Sequence, residues 1–203
     1  MVSAALMCRF GANPNLRYWK PVQTGIEADD DTAEVLRLSG APPDRVLDQG
    51  VRLPRPLSPH LSATLAGRPI SLAPLMDLAW SQPGTNRWVV EGAGGVLVPL
   101  NEQELMVDLV TVLGLPVVIA ARSTLGTINH TLLTIEALRS RAVPIAGVVM
   151  VGPSNPDNRV AIETRGHVTV VGELPAFDPL TPEVLREAAV ALAARGELDA
   201  FCA

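Results

Sequence analysis

Two short runs carry most of the chemistry that this sequence offers. The first is Val89-Val90-Glu91-Gly92-Ala93-Gly94-Gly95: an apolar run, a carboxylate where that run should end, and a turn with almost no side-chain bulk. Such a turn lets backbone approach a ligand closely. An acidic residue beside bare N–H groups suits a Mg²⁺–phosphate group, the carboxylate holding the metal and the amides the phosphate oxygens. The same residues also describe a strand closed by a tight turn with a solvated glutamate. The second run is Lys20-Pro21-Val22-Gln23-Thr24-Gly25, with an ammonium and a hydroxyl four residues apart that can face one anion across a loop. A surface lysine ahead of a turn reads the same way.

Three further stretches are weaker. Glu27-Ala28-Asp29-Asp30-Asp31 is an acidic cluster at a helix entrance, a placement that the helix dipole alone favours. Leu125-Gly126-Thr127-Ile128-Asn129-His130 opens another helix with small and polar residues, leaving free N–H groups where a carboxylate or phosphate binds readily. It also reads as an ordinary helix start. His60, after Ser58-Pro59, serves equally as a capping, packing or ligating residue.

The elements that must position these residues alternate. Residues 2–10 form a helix stopped by Gly11-Ala12-Asn13-Pro14. Leu16 to Val22 is a strand giving way to a loop at Pro21 and continuing as loop through Gln23-Thr24-Gly25. Helices follow at Asp31 to Leu38, from Ser58, and at Leu72 to Trp80. The Pro-rich patch from Ala41 to Pro59 is the loosest part of the chain. After the central strand at Arg87–Val90 come a helix from Glu104 to Leu113, a buried strand at Pro116–Ala121 and the helix entered through Thr124–His130. A strand at Pro144–Val151, a helix at Asn155–Arg165, and a strand at Val168–Val171 closed by Gly172-Glu173-Leu174-Pro175 come next. Thr181-Pro182-Glu183 opens a last helix to about Arg195, a hydroxyl cap with Pro at the first position. The class is α/β, one domain over 1–203, with a mainly parallel sheet flanked by helices.

Bulk numbers narrow the function. Hydrophobic content is 48% against 3% aromatic, so the core is built from Val, Leu, Ile and Ala, as in helix-covered parallel sheets. A net charge of −5 without a long basic run argues against nucleic acid. Leu109 to Ala121, the most apolar stretch, is too short to span a bilayer. No signal peptide is recognisable, and Cys8 and Cys202 have no metal-ligand spacing, which fits a reducing cytoplasm.

Taken together in order, the runs Tyr18-Trp19-Lys20-Pro21-Val22-Gln23-Thr24-Gly25, Asp31, Pro56-Leu57-Ser58-Pro59-His60, Val90 to Gly95, Leu125 to His130 and Gly172 to Pro175 resemble those of dethiobiotin synthetases. The resemblance covers most of the chain. It implies a P-loop NTPase-like fold, ATP as co-substrate with Mg²⁺, and closure of the ureido ring of dethiobiotin from 7,8-diaminononanoate and CO₂. It implies that Lys20 neutralises the carbamate and the transferring phosphoryl group. Thr24 is implied as a substrate contact, and Asp31 and Glu91 as the metal carboxylates. Gly92, Ala93 and Gly94 are implied to lie against substrate and phosphate. Gly126, Thr127 and Asn129 are implied to bind the substrate carboxylate from the second subunit of a homodimer. Pro175, Ala176 and Phe177 are implied to pack against the base. Phosphoryl transfer needs cations and N–H donors more than acid–base residues, and no Ser–His–Asp arrangement is required.

The sequence departs from that family in two places. The family opens with a strand and a Gly-x-x-x-x-Gly-Lys-Thr loop, and no such motif occurs in these 203 residues. The expectation is a natural start further upstream, because deleting an inner strand would leave two neighbours with unsatisfied backbone groups. The chain as it stands is expected to turn over ATP weakly or not at all. Second, Met150-Val151-Gly152 offers no amide side chain to read adenine, which leaves the nucleotide preference open. Two other functions stay in view: a related P-loop amide-forming ligase, for whose glutamine-hydrolysing domain there is no room, and a dimerising remnant that binds ligand without turnover.

Overall fold

The computed structural model describes residues 1–193, 196 and 198. Helix α1 (Val2–Arg9) buries Ala4, Ala5 and Met7. Strand β1 (Leu16–Trp19) follows, and its ladder breaks at Lys20-Pro21, since proline has no N–H to donate. The chain then re-enters a sheet as β2 (Val22–Thr24), where sequence reasoning places only loop. Helix α2 (Asp31–Ser39) starts on Asp30, whose carboxylate accepts from the Thr32 and Ala33 N–H groups, and stops at Gly40 in the left-handed conformation.

The Pro-rich patch is not loose throughout. It holds a 3₁₀ turn (Pro43–Arg45) and the short strands β3 (Val46–Leu47) and β4 (Val51–Leu53). Helices α3 (Pro59–Ala66) and α4 (Leu72–Trp80) precede β5 (Arg87–Val90). Next come α5 (Met106–Leu113), β6 (Val117–Arg122), α6 (Thr127–Arg139), β7 (Ile145–Val151) and α7 (Pro156–Gly166). Strand β8 (Val170–Leu174) takes in Gly172-Glu173-Leu174 instead of being closed by them: their pairing with β7 continues to the end of that strand. Helix α8 (Pro182–Ala189) is capped by Thr181 as expected but ends at Ala189, and Arg195, like Cys202, lies outside the described residues.

All named strand pairs are parallel, in agreement with the α/β reading. They form two three-stranded sheets, ordered β3-β1-β5 and β6-β7-β8, with β2 and β4 as a separate pair. Helices α1, α2 and α8 cover one face. Their core joins Leu16 and Tyr18 of the first sheet to Val149 and Leu174 of the second. The opposite face carries two clusters: Trp19, Leu53 and Leu109 under α3 to α5, and Ile119, Ile135 and Met150 under α5 to α7. Among the described residues no helix is long and apolar enough to cross a membrane.

Candidate active site

The register of β1 and β5 sets the site. Trp19 pairs with Val90, so the next residue on each strand, Lys20 and Glu91, emerges at the carboxyl end side by side. Open α/β sheets place ligands at such strand ends. The Glu91 N–H makes a last ladder bond to the Trp19 carbonyl at 2.9 Å, and then Gly92 releases the chain. The Lys20 ammonium lies 2.9 Å from Glu91 Oε1 and 2.8 Å from Asp31 Oδ2, and 3.5 Å from the Gly92 carbonyl. Lys20 is only 5% exposed, and an ammonium that deep is tolerable because two carboxylates and a carbonyl receive its protons. Its own carbonyl accepts from Arg52 at 2.8 Å, which fixes the backbone under it.

Of the acidic cluster, Asp31 reaches the site. Asp30 is committed to capping α2 and to the Gln23 amide at 3.2 Å. Burial works against the Asp30 carboxylate, but the two helix N–H bonds and Gln23 outweigh it and hold its pKa below the usual value. Glu91 behaves likewise. Burial disfavours its charge, and the Lys20 ammonium with the Ser3 hydroxyl more than restores it, so its pKa is depressed. Tyr18 donates to Glu91 Oε2 at 3.2 Å, and Ser3 donates to the same oxygen. Burial, then the Glu91 charge, pushes the Tyr18 phenol up, so it stays a donor.

Ser3 and Tyr18 had no sequence signal as site residues. Ser3 lies in an unremarkable helix, and Tyr18 points to Glu91 only through the β1–β5 pairing. Gly94, at φ +77°, turns the loop after Glu91, and a side chain there would press on Val98 at 3.0 Å. Ala93 is buried, while Gly92 and Gly94 stay exposed.

The remaining candidates make no hydrogen bond or ion pair with this cluster. Thr24 ends β2, and no hydrogen bond ties it to Lys20, Asp31 or Glu91. Gly126, at φ +93°, opens α6 beyond the end of β6, on the other sheet. There the Ile128 and Asn129 N–H groups have no backbone acceptor, and the buried hydroxyls of Ser123 and Thr127 have no partner among the described residues. Gly152 is needed beside them: a Cβ there would sit 2.5 Å from Ser123 Oγ. Pro175 and Ala176 are exposed past β8, while Phe177 packs partly on the core.

As a metal site the pair Asp31 and Glu91 fits Mg²⁺, which is held by one or two carboxylates together with substrate phosphates and water. No group of three or more His, Cys, Asp or Glu placed to hold a metal ion together occurs among the described residues.

Comparison with known proteins adds the identity of these parts. Residues 1–184 match a family described as an AAA domain. The ATP-dependent dethiobiotin synthetase BioD of Brucella ovis is 46% identical over 183 residues, which span 90% of this chain and 82% of that protein. The Brucella abortus (strain S19) protein of the same name matches to the same extent. Among solved structures, a ParA family ATPase from Chlorobium tepidum TLS superposes with a TM-score of 0.55 at 10% identity, covering 99% of this chain and 90% of that one, a likeness of fold alone. With its Lys20–Asp31–Glu91 cluster at the carboxyl end of a parallel sheet, the chain belongs to the dethiobiotin synthetase family.

Proposed function

We propose that this chain closes the ureido ring of dethiobiotin from 7,8-diaminononanoate and CO₂ at the expense of ATP. One amine of the diamine adds CO₂ and loses a proton, giving a carbamate. The carbamate oxygen takes the γ-phosphoryl group from ATP, releasing ADP and leaving a carbamic–phosphoric anhydride. The second amine attacks the anhydride carbonyl, the ring closes, and phosphate leaves. The substrate supplies both nucleophiles, so the protein's task is to position them and neutralise charge.

The observation that carries this reading is the Lys20 ammonium held between Asp31 and Glu91 at the sheet's carboxyl end. Lys20 turns from these carboxylates to the carbamate and the phosphoryl oxygens. Asp31 and Glu91 hold Mg²⁺, which neutralises phosphate charge when bound. Gly92 and Gly94 let the backbone approach the same oxygens. The free N–H groups at the start of α6, near Gly126, Thr127 and Asn129, suit the substrate carboxylate. Thr24 is assigned to the diamine, Pro175 to Phe177 to the nucleotide base. The partner copy of a homodimer brings its α6 start to the site. The reaction belongs in the cytoplasm.

Turnover of 7,8-diaminononanoate with bicarbonate, Mg²⁺ and ATP tests this. It is run on the 203-residue chain and on the chain read from the preceding in-frame start codon. Dethiobiotin and ADP in equal amounts from either chain are expected. Binding of the diamine without dethiobiotin from either would overturn the reading.

A further inference from the structure

The strand register that brings Lys20 beside Glu91 also decides what surrounds them. Tyr18 pairs with Val89, and Trp19 with Val90. Side chains alternate between the two faces of a strand. Tyr18 and Lys20 therefore leave β1 on one face, and Val89 and Glu91 leave β5 on the same one. That face is the one α1 covers: Tyr18 and Val89 join the core under α1, while Trp88 and Val90 join the core on the other side. Ser3, in the first turn of α1, comes down on Glu91, 88 residues away in the sequence.

These contacts divide the carboxylate unevenly. Oε2 accepts from the Tyr18 phenol at 3.2 Å and from the Ser3 hydroxyl. Among the described residues Oε1 accepts only from the Lys20 ammonium, at 2.9 Å. An ionised carboxylate has about four lone-pair sites, two on each oxygen. Oε2 is full, and Oε1 keeps an open site even before Lys20 turns to a substrate anion. The phenol is not free to leave. Tyr18 is fully buried, and Glu91 is the one acceptor of its hydroxyl among the described residues, so turning away would strand a buried polar group. Asp31 differs: its Oδ2 meets Lys20 at 2.8 Å, its side chain is 47% exposed, and no hydroxyl among the described residues donates to it.

Divalent cations ask different things of a carboxylate. Ca²⁺ gathers about six to eight oxygens in a flexible shell and readily takes both oxygens of one carboxylate. Mg²⁺ demands a near-ideal octahedron, which the narrow bite of a two-oxygen carboxylate distorts. We propose that Ser3 and Tyr18 are positioning residues that close Oε2 of Glu91 to metal, so that Glu91 presents Oε1 alone and the site selects Mg²⁺ against Ca²⁺. The proposal rests on the proposed function in one respect, the metal on Asp31 and Glu91. It goes beyond that reading by assigning the choice of ion to two hydroxyls that touch neither metal nor substrate. If Glu91 merely satisfied a buried phenol, losing the phenol would lower stability and leave the ion preference as it was.

The test counts bound Mn²⁺ by electron paramagnetic resonance on the 203-residue chain without nucleotide, and displaces it with Mg²⁺ or with Ca²⁺. Glu91→Gln gives the background from other carboxylates. Tyr18→Phe keeps the ring, and Ser3→Ala keeps the helix, since alanine is the better helix former; the melting temperature of each checks folding, and either one alone carries the test. Each is expected to shift the preference toward Ca²⁺ by about 10-fold relative to the parent, and the double variant by more. Ser3→Thr retains a hydroxyl and is expected to keep the parental ratio. An unchanged ratio in the chains lacking a hydroxyl overturns the proposal. So does an equal gain for both ions, which is what losing a donor to a charged oxygen does without changing the number of oxygens offered. A shift in Ser3→Thr as large as that in Ser3→Ala has the same force. If Glu91→Gln binds as much Mn²⁺ as the parent, the metal reading falls and takes the proposal with it. A Glu91-dependent site whose ion ratio ignores both hydroxyls sinks the proposal alone.

Discussion

Glu91 has two donors on one oxygen, an ammonium on the other, and partial burial. Its folded pKa is depressed, because Lys20 and Ser3 outweigh the burial that opposes ionisation. Its contribution to stability is therefore complete above the ordinary glutamate pKa of about 4.3 and is lost as pH falls through the folded value. Denaturant unfolding should show a midpoint constant from neutral pH to about 5 and falling below about 4.3, with a shallower fall in Glu91→Gln. The same acid dependence in both proteins would contradict this. Tyr18→Phe removes one of the two donors to Oε2 and leaves the packing intact, and should cost about 1 kcal/mol by the same measurement. The types of these residues were readable from the sequence for Lys20, Asp31 and Glu91, because each falls at a strand end or helix start. Ser3 and Tyr18 were not, because their role exists only once α1 is docked and β1 is in register with β5.

Helices and the longer strands were the legible elements. Apolar periodicity with a stop signal placed α1 and α4 closely, Thr181-Pro182 marked the start of α8, and the apolar runs of β5, β6 and β7 were placed to within one residue. The strands β2, β3 and β4 were not legible, since two or three residues among prolines and polar groups carry no alternation to detect. Gly172 read as a strand end, yet it lies inside β8 against Leu192, where a side chain would have no room. The acidic cluster shows how an element delivers a site. Asp30 is spent on the α2 N-cap, and that cap is what aims Asp31 at Lys20. Asp30→Ala should cost about 1 kcal/mol of stability, measured by thermal or denaturant unfolding, and Asp29→Ala less than about 0.5. Equal losses would show that the cap is not the organising contact.

At the scale of the molecule, alternation of strands and helices disclosed the parallel α/β class but not that the sheet is divided. A division leaves every local pattern intact and removes only pairing. The halves are held by the core under α1, α2 and α8, a cluster that includes Leu185 together with residues of both sheets. Leu185→Ala should lower stability by about 2–5 kcal/mol and keep a single transition, seen alike by Trp fluorescence and far-UV circular dichroism. Separate transitions would mean that the halves fold independently.

The central claim is that Lys20, between Asp31 and Glu91, works on the reacting group. Its most direct measurement is dethiobiotin formation by whichever of the two chains turns over, compared with its Lys20→Met variant of matched thermal stability. The expected result is a fall in turnover of about 100- to 1,000-fold, the loss typical of removing one group that stabilises transition-state charge. Turnover of Lys20→Met at the parental rate would contradict the claim and move the reaction centre elsewhere on the sheet.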